Sequence, residues 1–304
     1  MPEHGRTMPT SETITSPAAN LIALRDWIGR SETRRDLITA TPVAALSATL
    51  DRDEAAPETG TALPPLWHWI FFTPLTRHSE LGEDGHARRG GFLPPVPLPR
   101  RMWAGGRLDF QQPLCVGENV TRVSTIQDVT VKQGRTGSLV FVCVRHDFSN
   151  AQGLALSEEH DIVYRDAPEL GAPQPAPTPA PRDEQFSREI VPDPVLLFRY
   201  SALTFNGHRI HYDRSYVTGV EGYPGLIVHG PLIATLLIDL LCRHLPDAQV
   251  KRFSFKAVRP TFDIHPFTVC GKVEQTTSSQ PHTVTLWGRD HEGWLTMQAT
   301  AEIE

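Results

Sequence analysis

Cysteine is scarce in this chain, and none of its four copies, Cys115, Cys143, Cys242 and Cys270, has a neighbour at metal-binding or redox spacing. That argues against a disulfide scaffold or a cysteine-rich zinc module. Each cysteine sits in an apolar stretch and is expected to be a small buried hydrophobe in a reduced, cytoplasmic setting. Long apolar runs are missing too: the longest, residues 232–241, is broken by Thr235 and Asp239 and falls far short of the roughly twenty residues of a membrane span. The opening residues, MPEHGRTMPTSET, hold no apolar core of signal-peptide type. Nor is there an excess of basic charge. With 29 Lys and Arg against 35 Asp and Glu, the net charge of −6 gives no general attraction to nucleic acid or an anionic membrane. No phosphate-cradling glycine loop or serine nucleophile elbow occurs. The thirteen histidines are dispersed, and a pair such as His208 and His211 lacks the third ligand of a zinc site, so no metal is expected.

What is present describes a globular protein long enough for one large domain or two ordinary ones, with 39% hydrophobic and 21% charged residues. Residues 1–19 are polar and read as a loose tail. Apolar spacing predicts helix over residues 21–50, with Leu21, Leu24, Trp27 and Ile28 on one face and Leu37, Val43, Leu46 and Leu50 in a second set. The aromatic run LWHWIFF at 66–72 is expected in the core. Residues 78–101, where Pro and Gly cluster, should be extended and irregular. Strand patterns follow at 107–111, 116–132, 139–148 and 154–165. The Pro/Ala-rich stretch 166–185 marks a linker between an N-terminal domain, 20–165, and a C-terminal domain, 186–304. Past it come a helix at 230–245, with Pro231 in its first turn and Pro246 beyond its end, and strands at 252–258, 268–274, 283–289 and 295–303.

The two halves share an order: strand, Pro-containing connection, long strand, hairpin, strand. A duplicated helix-plus-antiparallel-sheet unit explains this most simply. The copies are unequal. Where the second has GYPGLIVHGPLIATLLIDLL, the first has FLPPVPLPRRMWAGG, a poorer helix without a histidine.

One window concentrates the chemistry. FNGHRIHYD, residues 205–213, places Asn206, His208, Arg209, His211, Tyr212 and Asp213 within eight residues, and Gly230 opens the most apolar helix nineteen residues after His211. A histidine ahead of a Gly-started buried helix suits a general acid/base facing N–H groups that hold a developing oxyanion. Taken alone, the residues also fit blander roles: His211 a satisfied structural histidine, Asn206 a turn residue beside Gly207, Gly230 a plain helix start.

FRYSALTFNGHRIHYD and VEGYPGLIVHGPL resemble the two motifs of the MaoC-like, R-specific enoyl-CoA hydratases, and the resemblance covers roughly residues 66–304. It points to the subgroup holding mesaconyl-C4-CoA hydratases and mitochondrial-type 3-hydroxyacyl-thioester dehydratases. It implies an α+β double hot dog, a degenerate first unit and a catalytic second, forming a pseudo-dimer. It also implies reversible addition of water to an α,β-unsaturated acyl-CoA, a branched dicarboxylic one first, with a fatty-acid-type dehydratase or an inert acyl-CoA binder as alternatives. Coenzyme A would enter only as part of the substrate, with no other cofactor.

The family motif S-G-D-x-N-P-[LIV]-H falls on Thr204 to His211, putting Ile210 at the aliphatic position, Arg209 at the Pro, His208 at the Asn and Asn206 at the Asp. The family's second motif, A-H-G-M-L, falls on Val228 to Leu232. By resemblance His211 moves the proton, the Gly230 amide binds the thioester oxygen, and Asn206 stands where a carboxylate is usual. An amide does not take a proton near neutral pH, so Asn206 can only orient water. His211 then works alone, or Asp213 or Glu221 supplies a displaced carboxylate. His208, Arg209, Tyr223 and Val228 are further candidates to line the substrate, and Arg100 or Arg101 to meet a substrate carboxylate or CoA phosphates. His229 is expected to pack at the helix entry. Exposed sheet edges make a homodimer the expected assembly.

Overall fold

The computed structural model describes residues 21–134, 137–166, 176–274 and 282–304. The expected tail and, of the Pro/Ala-rich stretch, residues 167–175 lie outside the described residues. Ten strands form one antiparallel sheet. They are β1 (Ser31–Leu37), β2 (Arg100–Phe110), β3 (Asn119–Gly134), β4 (Gly137–Asn150), β5 (Gly153–Arg165), β6 (Phe186–Ile190), β7 (Val250–Ala257), β8 (Phe267–Val273), β9 (His282–Asp290) and β10 (Leu295–Ile303). Across the sheet the order is β1-β3-β4-β5-β2-β7-β10-β9-β8-β6. Read outward from the centre, each half follows one scheme, β2-β5-β4-β3-β1 and β7-β10-β9-β8-β6. The two units meet through β2 and β7, with Leu108 opposite Phe253. A Cβ on Gly105 would stand 2.4 Å from the Phe255 carbonyl oxygen, so this junction requires glycine. The result is the double hot dog that the sequence implies.

Among the described residues, and besides a helical end at 21–23, the sheet is accompanied by α1 (Ala40–Thr49), α2 (Pro194–Thr204), α3 (Arg214–Gly219) and α4 (Gly230–His244). The sequence marks α4 by an apolar surface all round, and every residue from Leu232 to Leu241 is buried, against β8, β9 and β10 among others. Each large aliphatic side chain there contributes on the order of 2 kcal/mol relative to exposure. Asp239 lies within that run with a fully buried side chain. It is held by Arg52 at 2.7 Å, Arg188 at 2.9 Å and Arg243 at 2.8 Å, which tie α4 to both halves.

Several expectations change. Of the helix expected over 21–50 there remain, among the described residues, a helical end at 21–23 that runs into a 3-10 turn, Leu24–Trp27, and α1. Between them SETRRDL is an edge strand, alternately exposed and half-buried, hydrogen-bonded to β3 and joined to it by Arg122–Glu32. Its charged alternation has period 2, which outweighed the sparse leucines flanking it. β2 begins at Arg100, inside the stretch read as irregular, and β6 was not foreseen. The aromatic run is core, with Trp67, His68, Ile70, Phe71 and Phe72 buried. Of the cysteines only Cys270 is buried; the other three are half-buried and all four are free.

Among the described residues no long helix lies over the first unit. Leu21, Leu24, Val96 and Leu98 cover its far end, packing on Ile126, Val140, Val142 and Tyr164. Mid-sheet, on the same face, the strands present Ser124, His146, Glu158 and His160. Glu158 accepts from Trp69 Nε1 at 3.1 Å and meets His68 Nε2 at 3.1 Å.

Candidate active site

The site forms where the segment after α2 folds back against the start of α4. Asp193 caps α2, accepting from the amides of Val195 and Leu196, and the helix ends at Phe205 in the left-handed region, φ 51°. The chain then turns sharply: Asn206 Oδ1 accepts from the His208 amide at 3.0 Å, and the Asn206 amide donates to Ser201 O at 2.8 Å. The Asn206 oxygen is therefore engaged in the turn, while its NH2 has no hydrogen bond among the described residues.

A short 3-10 turn, Arg209–His211, brings the His211 ring inward. His211 Nδ1 lies 2.7 Å from the Ile227 carbonyl. A carbonyl only accepts, so Nδ1 carries the proton and Nε2 keeps a lone pair, the form a base needs. Burial pushes the imidazole down to about 4, against the opposing pull of the Ile227 carbonyl. The ring stacks on His229 at 3.7 Å and 18°, and His208 stands edge-on at 5.4 Å. His229 is the residue before Gly230 and makes no side-chain cap, which leaves the first amides of α4 without a capping oxygen beside these imidazoles. Its Nε2 instead pairs with Ser201 Oγ at 2.8 Å, and burial, then His211, holds it well below the usual histidine range.

The two alternative carboxylates are engaged elsewhere. Asp213 caps α3, accepting from the Tyr216 amide and Ser215 Oγ, and pairs with Arg209 at 2.8 Å. Glu221 accepts from the Tyr216 hydroxyl and lies 3.5 Å from Arg100. Arg209 is a strut rather than a substrate ligand: besides Asp213 it donates to Glu83 O and covers the Tyr216 ring at 4.1 Å. Val228 belongs to the buried core, its amide bonded to Thr261 O. Arg100 donates to the Tyr223 hydroxyl at 3.0 Å and to Glu221 O at 3.0 Å, so Arg100 and Tyr223 brace one another across the two halves. Arg101 differs. It is half-buried, has no ion pair among the described residues, and faces His86, His160 and His208 with its charge.

Two residues that sequence reasoning missed stand beside these histidines, and both come from the unit read as degenerate. The turn Gly82–His86 carries Asp84 and His86 against the 207–209 segment: Arg209 N donates to Asp84 O at 2.9 Å. A Cβ on Gly85, φ +85°, would fall 1.9 Å from the Gly207 carbonyl oxygen. Asp84 Oδ1 accepts from the His86 amide and Oδ2 meets His86 Nδ1, both at 3.0 Å, while the His86 ring lies 4.0 Å from that of His208. Ligand atoms of Asp84, His86 and His208 lie within 4.8 Å of one another, so His208 does have the company that its spacing denied it. The donor types suit a borderline metal, but the guanidinium groups of Arg101 and Arg89 bear on His86 and oppose a dication there. The only sequence signal was the Gly-flanked GEDGH itself.

The chain as a whole finds counterparts in known proteins. The model of hydroxyacyl-thioester dehydratase type 2 matches residues 66–263. Mesaconyl-C(4)-CoA hydratase of Chloroflexus aurantiacus is 45% identical over 280 residues, 91% of this chain and 96% of that one. The mitochondrial hydroxyacyl-thioester dehydratase type 2 of Schizosaccharomyces pombe is 28% identical over 69% of this chain and 78% of that one. In fold, a MaoC-like dehydratase superposes with TM-score 0.71 at 14% identity, covering 92% of this chain and 99% of the other. A Mycobacterium tuberculosis protein described as having a double hot-dog fold superposes with TM-score 0.56 at 13% identity, covering 91% and 96%. The chain belongs to the hydroxyacyl-thioester dehydratase type 2 family.

Proposed function

We propose that the chain, a hydro-lyase by its family, reversibly adds water to mesaconyl-C4-CoA or a related branched dicarboxylic acyl-CoA. One observation carries the reading: the ring of buried His211, its Nε2 free of a proton, stacks on His229, the residue that precedes Gly230 and leaves its helix start uncapped. In this scheme His211 draws on the water that attacks the β-carbon. The Gly230 amide holds the enolate oxygen that forms as the double bond opens, and the enolate then takes a proton at the α-carbon. Asn206 contributes its NH2 to orienting water. The 186–304 domain is the catalytic one and the 20–165 domain shapes the acyl pocket, with the 166–185 stretch between them.

For the substrate's free carboxylate we assign Arg101. Its charge, without an ion pair among the described residues, supports this, as does the buried hydroxyl of Tyr164 opposite it in β5, on which that charge bears. Coenzyme A enters only with the substrate, and no resident cofactor takes part. We further propose a cytoplasmic homodimer without nucleic acid or membrane partners; no helix among the described residues is long and apolar enough to cross a membrane. The outer face of α2, with Val195 and Phe198 both 63% exposed, supports a partner there.

The test is mass spectrometry of enoyl- and 3-hydroxyacyl-CoAs, mesaconyl-C4-CoA included, after incubation with the protein and with His211→Ala. Gain or loss of one water that disappears in the variant is expected. Thioesters that bind yet stay unchanged would overturn the reading in favour of an inert acyl-CoA binder, and free thiol release would mark a thioesterase.

A further inference from the structure

Hydration of a double bond needs a group to hold the water's proton while the carbon–oxygen bond forms. Asn206 cannot hold it. His211 can draw on it, but has no carboxylate among its hydrogen-bond partners against which to hold it. The second half offers no substitute, since Asp213 caps α3 and Glu221 is turned to Tyr216 and Arg100. The carboxylate next to the histidines comes from the other half, on a turn whose Gly85 permits a backbone contact with Gly207 that a side chain would forbid.

We propose that Asp84 replaces the carboxylate missing at Asn206, and that the facing rings of His86 and His208, not His211 alone, take the proton from the attacking water. The proposal rests on the hydratase reading above. Asp84 is fixed at both oxygens, by the amide and by Nδ1 of His86. An ionised carboxylate only accepts, so His86 Nδ1 carries the proton and His86 Nε2 keeps its lone pair. The ring of His208, 4.0 Å from His86 and 5.4 Å from His211, joins that pair to the His211 cleft, and the Asp84 carboxylate reaches both imidazoles within 4.8 Å. Burial first keeps the resting rings neutral, helped by Arg101, by Arg89 at His86 and by His211 at His208, while Asp84 favours an imidazolium.

The step balances. The water oxygen bonds to the β-carbon and the π electrons move to the thioester oxygen at Gly230. The released proton rests on the His208/His86 pair opposite the Asp84 carboxylate, and the same proton passes to the α-carbon as the enolate collapses. His208 touches the reacting water, while His86 and Asp84 are positioning residues that act through it.

The decisive comparison is Asp84→Asn, His86→Gln and the double variant Asp84→Asn/Asn206→Asp in the full chain. Asp84→Asn keeps the shape and removes the charge. Its kcat for hydration should fall about 100-fold with KM within about 3-fold and an unchanged thermal midpoint, and His86→Gln should behave alike. Restoring a carboxylate at position 206 should recover about 10-fold or more of the lost kcat, which a purely structural role for Asp84 would not allow. The proposal is overturned if Asp84→Asn keeps kcat within about 3-fold, or if Asn206→Asp rescues nothing. It is equally overturned if a chelator abolishes wild-type turnover and zinc restores it, since the three groups would then hold a cation. Absence of turnover in the wild type itself would instead refute the hydratase reading.

Discussion

Acidification probes the buried imidazoles directly. Burial pushes His146 down to about 3, and His160 and His211 down to about 4. In the unfolded chain a histidine takes up its proton near pH 6.5. Between about pH 6.5 and pH 4 the unfolded state therefore binds more protons than the folded one. The stability held by these groups is complete above pH 6.5 and is lost as the pH falls toward 4. At pH 5, relative to pH 7, each group costs about 2 kcal/mol, and the three together on the order of 6 kcal/mol. That rivals the whole stability of an ordinary domain, about 5–15 kcal/mol. His86, His208 and His229 are also depressed and act with the same sign. Glu158, held near 2 as its hydrogen bond and charge interaction with His68 outweigh burial, enters only below about pH 4.5. Urea unfolding followed by tryptophan fluorescence at about pH 7, 6 and 5 measures the slope. His146→Gln can keep the contact to Ser124 Oγ, at 2.8 Å in the native protein, while removing one titrating group. It should shrink the loss between pH 7 and 5 by about 2 kcal/mol. A midpoint that stays flat from pH 7 to 5, or a variant with the wild-type slope, would refute the account of neutral buried histidines.

Two further outcomes follow from other parts of the molecule. Arg101→Met should raise KM for a carboxylate-bearing enoyl-CoA about 10- to 100-fold while leaving crotonyl-CoA, which has no free carboxylate, nearly unaffected; equal effects on both in steady-state assays would remove Arg101 from carboxylate recognition. Asp239→Ala leaves Arg52, Arg188 and Arg243 clustered around a buried site without their anion. It should cost about 3–5 kcal/mol in urea unfolding, and a loss under about 1 kcal/mol would show that solvent already screens the cluster.

How much of this was legible depended on how local the determining physics is. α4 could be read to within a residue because its apolar surface, its early proline and Pro246 all lie in one window. The duplication was legible because each unit repeats strand lengths and turn signals in order, and the sheet order confirms the two schemes as the same. β1 was misread because an edge strand buries little. SETRRDL takes its conformation from partners on β3, some ninety residues away, and carries no apolar face of its own.

The site divides in the same way. His211 and Gly230 were legible because a motif confined to one half places both. Arg100 and Arg101 read alike in the sequence. They part only when the fold sets Glu221 and Tyr223 against the first and leaves the second facing imidazoles. Asp84 and His86 were illegible for a stronger reason. Their meaning is set by Gly207 and His208, more than 120 residues on, and by a backbone contact that two glycines permit. In a duplicated fold, a group lost from one unit can be replaced from the other without leaving a motif in either. With Asn206 standing where the family motif has Asp, the proposed replacement is to be sought in the other unit, as an Asp or Glu on a glycine-bounded turn. GEDGH is such a turn, and in the structure its Asp84 and His86 lie against His208.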